Sequence, residues 1–368
     1  MADRIGIGVI GASDQRGWAL WTHRPVLAHS PDYELTAIAA TSPEKASAAA
    51  RAWGVPERAA YTDTAELLAD PAVELVTIAV PLIRRTGLVE AALAAGKHVY
   101  CEWPLAEDAP TAAAMREQAD GLGLRHAVGL QTRHHPVLVH ARRLVGEGAI
   151  GTLLSASMTY SLSTPPTWPA RHIPLIGTKS VSRLSIVGGH ALDLFRALAG
   201  DFAELSATLA TRLPIAHIAE TGEQLPIDTP DQIALTGTLR SGAVFSAHLV
   251  SGGPRGDGYR IELHGTAGRL VLTSADDSLI GPDFTLWTER APGRELRAVP
   301  VPDAPRPGPA GAPVAMANVA QVYGDLAAAI RAGTEFEPSF GTGEQVLRIL
   351  DAVERSAASG SREALSLR

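Results

Sequence analysis

A glycine-bounded turn near the start of the chain is the first stretch that could do chemistry. Arg4 to Ile10 is a near-continuous apolar run, typical of a buried parallel strand, and the turn Gly11 to Gly17 follows it. Glycine at both ends permits close backbone approach, and a helix starting after the turn would aim backbone amides at an anion. We therefore expect dinucleotide phosphates to contact Gly11, Ser13, Gly17 and Trp18.

The literal string Gly6-Ile7-Gly8-Val9-Ile10-Gly11 satisfies the G-x-G-x-x-G pattern of dinucleotide-binding proteins. Its first two glycines fall inside the predicted strand, where they could not cradle a pyrophosphate. The string therefore predicts no phosphate site, and the turn after it is the better candidate.

The stretch Glu102-Trp103-Pro104 is a second candidate. It follows a short predicted strand, His98 to Cys101. Proline fixes its own φ and restricts the residue before it, so Trp103 is held in one direction. Glu102 and Trp103 would face a bound cofactor rigidly, although Trp103 could also be an ordinary buried aromatic side chain.

The end of the second predicted strand carries Thr41-Ser42-Pro43-Glu44-Lys45, with no acid at the turn itself. An NAD site usually places an acid there for the ribose 2′-hydroxyl. Thr41, Ser42 and Lys45 could instead accept a 2′-phosphate, so the expected cofactor is NAD or NADP. The alternative is that Ser42 only caps a helix.

These candidates lie on elements that alternate between strand and helix. The expected strands are Arg4 to Ile10, Tyr33 to Ala40, Val73 to Val80, His98 to Cys101 and Arg125 to Leu130. Such alternation predicts a doubly wound parallel sheet, a Rossmann domain, over residues 1–128. Ligands of such sheets bind beyond the carboxyl ends of the strands, which is where Gly11, Thr41, Pro81 and Glu102 fall.

From residue 129 onward the pattern changes to helices and alternating strands with hairpin turn signals. We expect residues 129–368 to form an α+β domain with a large, mostly antiparallel sheet for substrate binding and oligomerisation. The fold class is therefore α/β in the first domain and α+β in the second. A Pro- and Gly-rich linker, Val299 to Pro313, precedes two terminal helices.

With these elements, Glu102-Trp103-Pro104-Leu105-Ala106 and Gly189-His190-x-x-Asp193, the chain resembles the glucose-fructose oxidoreductase, inositol dehydrogenase and rhizopine catabolism family (Gfo/Idh/MocA) over essentially its whole length. The long Gly17-Trp-x-x-x-Thr-His23 element and Gly129 to Arg133 resemble the branch of the fungal galactose-regulon repressor. Family members usually associate through the open face of the C-terminal sheet, so the resemblance implies a homodimer or homotetramer.

The resemblance also implies roles for single residues. The lysine that catalytic members carry beside the nicotinamide is replaced by Trp103, and an aspartate of the second domain is replaced by Ile186. His190 and Asp193 remain, as general acid/base and as the residue that orients it. Further cofactor contacts are expected from Arg85, Gln131 and Arg133.

Substrate contacts are expected from His23, Tyr160, Trp168, Arg171 and His172. Tryptophans can stack on the apolar face of a sugar ring, but each is also a common packing residue. His134-His135 has no third ligand at fitting spacing, so we expect no metal site.

Composition excludes several classes of function. The 368 residues carry a net charge of −7 and no long Lys or Arg run, which argues against direct binding of nucleic acid. No apolar run has the length of a bilayer span, the N-terminus reads as a strand instead of a signal peptide, and one cysteine excludes an internal disulfide framework. We expect a cytoplasmic protein with a small-molecule, sugar-like substrate.

Two functions of different classes agree with these features. The first is an NAD(P)-dependent oxidoreductase acting on a sugar, polyol or similar hydroxy or carbonyl compound, with an atypical active site. The second is a non-catalytic, dinucleotide-binding regulator, which the loss of the lysine and the aspartate favours. A third alternative is a lyase or glycosidase that uses transient oxidation by a bound redox cofactor.

Overall fold

The computed structural model describes residues 4–164, 167–170, 181–253, 256–290, 293, 295–302 and 307–365. Tertiary contacts divide the chain into two compact units. The first unit comprises Met1–Gln131 and Pro305–Gln345, and the second comprises Thr132–Ala304 and Val346–Arg368. The segment 305–345 therefore joins the Rossmann unit, whereas the sequence placed it in the second domain.

The first unit is built on a six-stranded parallel sheet. In chain order its strands are β1 (Ile5–Ile10), β2 (Tyr33–Ala39), β3 (Ala60–Tyr61), β4 (Leu75–Ile78), β5 (His98–Cys101) and β6 (His126–Val128). They lie in the order β3-β2-β1-β4-β5-β6, and every neighbouring pair is parallel. This is the doubly wound topology that the alternation of strands and helices predicted, and the predicted fold class is confirmed.

Helices connect and cover these strands. They are α1 (Arg24–Ala28), α2 (Pro43–Trp53), α3 (Thr64–Ala69), α4 (Arg85–Ala94) and α5 (Ala109–Gly121), with short turns at Ala19–His23, Glu57–Ala59 and Leu82–Arg84. The turn Ala19–His23 is π-helical and leads directly into α1.

Gly6 and Gly8 lie within β1, as predicted for the false glycine string. A Cβ on Gly6 would lie 1.8 Å from the carbonyl oxygen of Ala72, and one on Gly8 would lie 2.9 Å from a methyl carbon of Leu67. These glycines therefore serve the close packing of the strand against its neighbours.

The second unit contains α6 (Pro136–Gly146), α7 (Gly189–Ala199) and a nine-stranded sheet. In chain order the sheet strands are β7 (Leu153–Ser163), β8 (Phe202–Ala210), β11 (Gln232–Leu239), β12 (Val244–Gly253), β13 (Gly258–Gly265), β14 (Gly268–Ser274), β15 (Thr285–Arg290), β16 (Arg297–Ala298) and β17 (Glu363–Ala364). The remaining pair, β9 (Ile215–His217) and β10 (Gln224–Pro226), forms a separate hairpin.

The nine strands lie in the order β16-β15-β14-β13-β7-β12-β11-β8-β17. All pairs are antiparallel except β7 with β12, which are parallel. Short turns at Gln131–His134 and Arg183–Gly188 precede α6 and α7. Two long helices, α8 (Val314–Ala332) and α9 (Phe340–Ser359), lie between β16 and β17 in the chain.

Helix α8 completes the core of the first unit. Val319, Val322, Tyr323 and Leu326 are buried against residues of β1, β2 and β4. The Tyr33 hydroxyl donates a 2.9 Å hydrogen bond to the carbonyl oxygen of Tyr323, which ties β2 to this helix.

Candidate active site

The carboxyl ends of four neighbouring strands carry the predicted cofactor residues. Gly11 follows β1, Thr41 lies just beyond β2, Pro81 lies just beyond β4, and Glu102 follows β5. Because the strands are parallel, these ends share one edge of the sheet, and the strand order reverses between β1 and β4. The structure thus brings together the residues that the sequence assigned to a dinucleotide site.

The turn between Gly11 and Gly17 has the conformation that its glycines suggest. Gly11 has φ +100° and a Cβ there would lie 2.7 Å from the Ala79 oxygen, so no other residue fits. Gly17 has φ +109°, but a Cβ there would meet nothing within 4 Å. Gly17 thus leaves an open space directly before the turn of helix, where a dinucleotide phosphate would lie.

Ser13 shapes this turn internally. Its Oγ accepts hydrogen bonds from the backbone amides of Gln15 at 3.3 Å and Arg16 at 3.4 Å, and the Trp53 indole donates to its carbonyl oxygen at 2.8 Å. Ser13 is therefore a turn-forming residue at the middle position where the usual fingerprint has glycine.

At the end of β2, Ser42 caps α2, because its Oγ accepts a 3.4 Å hydrogen bond from the Lys45 amide. The Lys45 ammonium donates to the Thr41 hydroxyl at 3.2 Å on the exposed surface. The capping alternative holds for Ser42, and a contact of Thr41 and Lys45 with the ribose stays a prediction.

Glu102 belongs to a buried hydrogen-bond chain that the sequence did not indicate. His23 Nε2 lies 2.7 Å from Glu102 Oε1, and His23 Nδ1 lies 2.8 Å from the Tyr323 hydroxyl. The Tyr323 hydroxyl lies 2.8 Å from the Thr77 hydroxyl on β4. The chain Glu102-His23-Tyr323-Thr77 links the turn after β5 to α8 and to the centre of the sheet.

Burial alone would raise the pKa of Glu102, but the hydrogen bond and charge of His23 and the charge of Arg85 outweigh it. The pKa of Glu102 is therefore held below its usual value, and the carboxylate is ionised at neutral pH.

The same geometry corrects the expected role of His23. Its side chain is fully buried and both ring nitrogens are bonded, so it cannot contact substrate directly.

Arg85 also has a different role from the one expected. Its buried guanidinium donates through Nε to the Val80 oxygen at 2.7 Å, and through Nη1 to the Glu102 and Pro104 oxygens at 2.6 Å and 2.5 Å. These donors hold the turns after β4 and β5 together, so they are not available to a dinucleotide.

Trp103 is 5% exposed and is joined to Pro104 by a cis peptide bond. Gly129, which follows β6, makes room for this stretch. A Cβ on Gly129 would lie 2.6 Å from Glu102 Oε2 and 3.0 Å from the Trp103 amide nitrogen. Gly129 is thus a site residue whose role no local sequence pattern marks.

The first unit fits a bound dinucleotide. Besides the open space at Gly17, the side-chain oxygen of Gln131 is buried and has no hydrogen-bond donor in the described part of the chain. A ligand amide or hydroxyl would supply that donor. Gln131 was predicted as a cofactor contact, and its unsatisfied oxygen supports that prediction.

In the second unit, α7 carries His190 and Asp193 three residues apart, on neighbouring positions of one helix face. Asp193 is buried, and Arg133 Nε donates to both of its carboxylate oxygens at 2.9 Å and 2.8 Å. Arg133 therefore fixes the acid beside His190, which is a role different from the predicted contact with the cofactor. Ile186 lies on the π-helical turn Arg183–Gly188 that leads into α7.

The burial of Tyr160 contradicts its predicted contact with the substrate. Its ring stacks on Tyr259 with centroids 3.7 Å apart, and its hydroxyl donates to the Asp277 oxygen at 2.9 Å. Trp168 packs against Ala216 and Ile227 and stays partly exposed. Arg171 and His172 lie outside the described residues.

Within the described ranges, no three His, Cys, Asp or Glu side chains cluster in a way that could hold a metal ion. His135 caps α6, accepting a 3.2 Å hydrogen bond from the Val137 amide. None of the helices described is both long enough and apolar enough to span a membrane.

The fold and the strand-edge site define a protein with an NAD-binding Rossmann domain. Residues 5–130 match the family described as the oxidoreductase family with an NAD-binding Rossmann fold, and residues 136–274 match the Gal80p C-terminal domain. The chain belongs to the Gfo/Idh/MocA family, as its motifs indicated. Its Rossmann domain is of the NAD-binding type.

Three relatives illustrate the range of this family. The chain is 33% identical to dehydrogenase aclE of Aspergillus oryzae, over 65% of this chain and 68% of the relative. It is 29% identical to levoglucosan dehydrogenase of Pseudarthrobacter phenanthrenivorans, over 88% and 87%. It is 24% identical to the galactose/lactose metabolism regulatory protein GAL80 of Saccharomyces cerevisiae, over 73% and 66%.

Solved structures give the same picture. A levoglucosan dehydrogenase in complex with NADH and L-sorbose aligns with a TM-score of 0.84 at 27% identity, covering 99% of both chains. A super-repressor mutant of Gal80p from Saccharomyces cerevisiae aligns with a TM-score of 0.85 at 18% identity, covering 99% of this chain and 98% of that one. The second likeness is one of fold.

Proposed function

We propose that this protein is an NAD(P)-dependent oxidoreductase that acts on a sugar, a polyol or a similar hydroxy or carbonyl compound. The observation that carries the proposal is the near full-length similarity to a sugar dehydrogenase whose solved complexes hold NADH and a sugar. The retained His190 and Asp193 on one face of α7 support it, because they supply a proton carrier and a carboxylate next to it.

The nicotinamide, when bound, supplies the acceptor or donor for hydride. The protein must then move the proton of the substrate hydroxyl. His190 is the proposed general acid/base at that oxygen. Asp193, held by Arg133 and three residues after His190 on α7, is the residue proposed to orient the imidazole.

Trp103 has no part in this proton transfer, because an indole neither accepts nor releases a proton in this pH range. Its proposed role is to pack against the nicotinamide from the turn after β5. Gly11, Gly17 and Trp18 are proposed to bind the phosphates, and Gln131 a hydrogen-bond donor of the cofactor.

An absorbance screen at the nicotinamide band, with NAD and NADP against sugars, polyols and cyclic ketones, tests the activity. We expect turnover with at least one compound, and a loss of about 10²- to 10⁴-fold in kcat for His190→Gln. His217→Gln, which changes an exposed histidine of the same unit, is the matched control. Activity that is unchanged in His190→Gln would remove His190 from the mechanism.

A non-catalytic regulator is the second candidate, favoured by Trp103 and Ile186 at the positions where the resemblance places a lysine and an aspartate. The match of residues 136–274 to the Gal80p C-terminal domain also supports it. Under this alternative, no compound of the screen turns over, and NADH changes the association of the protein with a partner protein. That pair of results would end the oxidoreductase proposal.

We also propose that the nine-stranded sheet mediates a homodimer or homotetramer. Leu154 on β7 and Val244 on the neighbouring β12 are large apolar side chains that are more than half exposed. Sedimentation of the protein with both residues changed to Ser measures this contact, and we expect a shift toward monomer.

A further inference from the structure

Arg183 is a largely buried cation in the second unit. It begins the π-helical turn Arg183–Gly188 and is 8% exposed. Its guanidinium carbon lies 5.4 Å from the centroid of the Trp168 ring, and Nη2 donates to the Thr164 hydroxyl at 3.4 Å. One face of the guanidinium is therefore covered by an aromatic ring.

No carboxylate of the described residues lies within ion-pair distance of Arg183. The charge of Asp231 favours the protonated form of Arg183. The Asp231 carboxylate, however, already accepts hydrogen bonds from the backbone amides of Arg212 and Leu213. Arg133, in the same unit, shows the opposite arrangement, because both oxygens of Asp193 face it.

A buried guanidinium without a counter-charge is costly. Burial lowers the pKa of Arg183, yet a guanidinium keeps its proton across the physiological range. Transfer of a charged group out of water is offset only by a paired charge or by full hydrogen bonding, and among the described residues the guanidinium has one hydrogen bond, of 3.4 Å, as compensation. The structure thus holds a cation that an anionic ligand would stabilise.

The position of Arg183 relates it to the proposed chemistry. It lies seven residues before His190 on the same helical stretch, formed by the π-helical turn and α7. Seven residues of α-helix span roughly 10 Å along the axis, and the wider π-helical turn makes the separation somewhat shorter. A six-carbon chain that is hydrogen-bonded at both ends covers such a span.

We propose that Arg183 and Trp168 bind the carboxylate of the substrate, and that the substrate is therefore a sugar acid, an aldonate or a uronate. This inference rests on the oxidoreductase function proposed above. The guanidinium edge matches a planar carboxylate in a bidentate arrangement, while Trp168 covers the guanidinium face. A single cation with one hydroxyl beside it suits a monoanion better than a phosphate dianion.

Calorimetric titration of the NADH-loaded protein tests the proposal without needing turnover. The probes are two matched pairs, D-gluconate with D-glucitol and D-glucuronate with D-glucose, together with D-glucose 6-phosphate. We expect at least one acid to bind more than tenfold tighter than its neutral partner. Arg183→Met should reduce that preference about 10- to 100-fold, the loss of a charge-assisted pair.

Arg183→Lys keeps the charge without the planar fork and should retain part of the preference. Arg143→Met, which changes an exposed arginine of α6, is the control and should leave the preference intact. Thermal unfolding of each variant shows that it is folded. If Arg183→Met does not fold, the comparison of acids with neutral sugars in the wild type and in Arg183→Lys still decides.

Equal binding of acids and neutral partners by the wild-type protein would overturn the proposal. A preference for acids that Arg183→Met leaves unchanged, or Arg183-dependent binding of the sugar phosphate alone, would overturn it too. Arg183-dependent binding of an acid that is never oxidised would support the carboxylate site and contradict the oxidoreductase function. Oxidation of neutral sugars without acid binding would do the reverse.

Discussion

Trp103 occupies the position at which the family resemblance places a catalytic lysine, and the structure shows how it is held there. Trp103 is 5% exposed, and Arg85 binds the backbone oxygens of the residues on either side of it, Glu102 and Pro104. Glu102 is ionised, since its pKa is lowered by His23. A cationic amine at position 103 would therefore follow directly on a carboxylate that favours its charge.

Trp103→Lys should create or raise dehydrogenase activity if the proton carrier is the missing group. We expect an increase of about 10²-fold in kcat toward the best compound of the screen, because a positioned general acid/base contributes at least that much. The measurement is the initial rate of change in nicotinamide absorbance.

Trp103→Met removes the indole without adding a base and serves as the control. A similar gain in both variants would mean that the indole only obstructs the site. No gain in a folded, NADH-binding Trp103→Lys protein would show that the site is remodelled beyond this residue.

Gly17 gives a second test at the level of one residue. Replacement by Val should abolish dinucleotide binding, because the Cβ position is open in the protein but lies in the proposed phosphate space. The positive φ adds strain of about 1 to 3 kcal/mol. Fluorescence titration with NADH measures the affinity.

Gly200→Val is the matched control, because Gly200 has φ +100° and its Cβ would also meet nothing within 4 Å. It should lower stability to a similar extent and keep the NADH affinity of the wild type. An unchanged affinity in Gly17→Val would mean that the phosphate turn lies elsewhere.

Among the secondary-structure elements, the hydrogen bond between His23 and Glu102 joins two segments that are 79 residues apart in the chain. His23 ends the π-helical turn after β1, and Glu102 begins the turn after β5. The hydroxyl of Tyr323, on α8, is hydrogen-bonded to the second ring nitrogen of His23, so this helix is joined to the same two segments. The segment from Gly17 to His23 therefore fixes the conformation of Glu102 and, through it, of Trp103.

His23→Leu should destabilise the protein by about 3 to 5 kcal/mol at pH 7, because it removes the side chain that is hydrogen-bonded to the buried Glu102 carboxylate. The pKa of Glu102 is lowered in the folded wild type, so its contribution is present above the unfolded value near 4.5 and lost as pH falls below it. In His23→Leu, the hydrogen bond and charge of His23 no longer oppose burial, so the pKa of Glu102 rises relative to the wild type. The deficit should therefore shrink on acidification from pH 8 to pH 5.

Urea unfolding at several pH values measures this deficit. The double variant His23→Leu with Glu102→Gln has no carboxylate at position 102, so it should recover part of the lost stability and lose the pH dependence. A deficit in His23→Leu that is constant between pH 5 and pH 8 would contradict an ionised, His23-paired Glu102.

Much of the fold could be predicted from local patterns. The apolar runs of buried parallel strands, the glycines that end helices and the Ser or Asp residues that cap them all lie within or next to the element they mark. Strand β5 has the predicted bounds, and helix α8 begins directly after the predicted linker that ends at Pro313. The strand-edge positions of Gly11 and Glu102 follow from the alternation alone. Tyr323 could not be assigned to the site, since 221 residues separate it from Glu102 and no local feature marks it. The burial of His23, Tyr160 and Arg85 likewise depends on tertiary contacts.

On the scale of the whole molecule, sequence order and spatial grouping differ. A boundary at residue 128 follows the change of pattern, but the contacts place 305–345 with the first unit. Helix α8 packs its apolar residues on a sheet whose strands lie at least 180 residues earlier in the chain. Periodicity shows that this helix has a buried face, and it does not show which core receives that face.

The Rossmann unit should therefore not fold from residues 1–131 alone. Without α8, the fragment exposes Tyr33, Tyr100 and the neighbouring apolar side chains, and it lacks the Tyr323 hydroxyl that His23 and Thr77 contact. We expect a non-cooperative urea transition and no near-UV circular dichroism signal. Joining residues 307–345 to residue 131 through a flexible linker should restore a cooperative transition and NADH binding.

The same joined fragment with Tyr323→Ala should lose several kcal/mol of that stability, as truncation of a large buried aromatic does. A cooperative, NADH-binding fragment 1–131 would show that α8 is dispensable to the first unit.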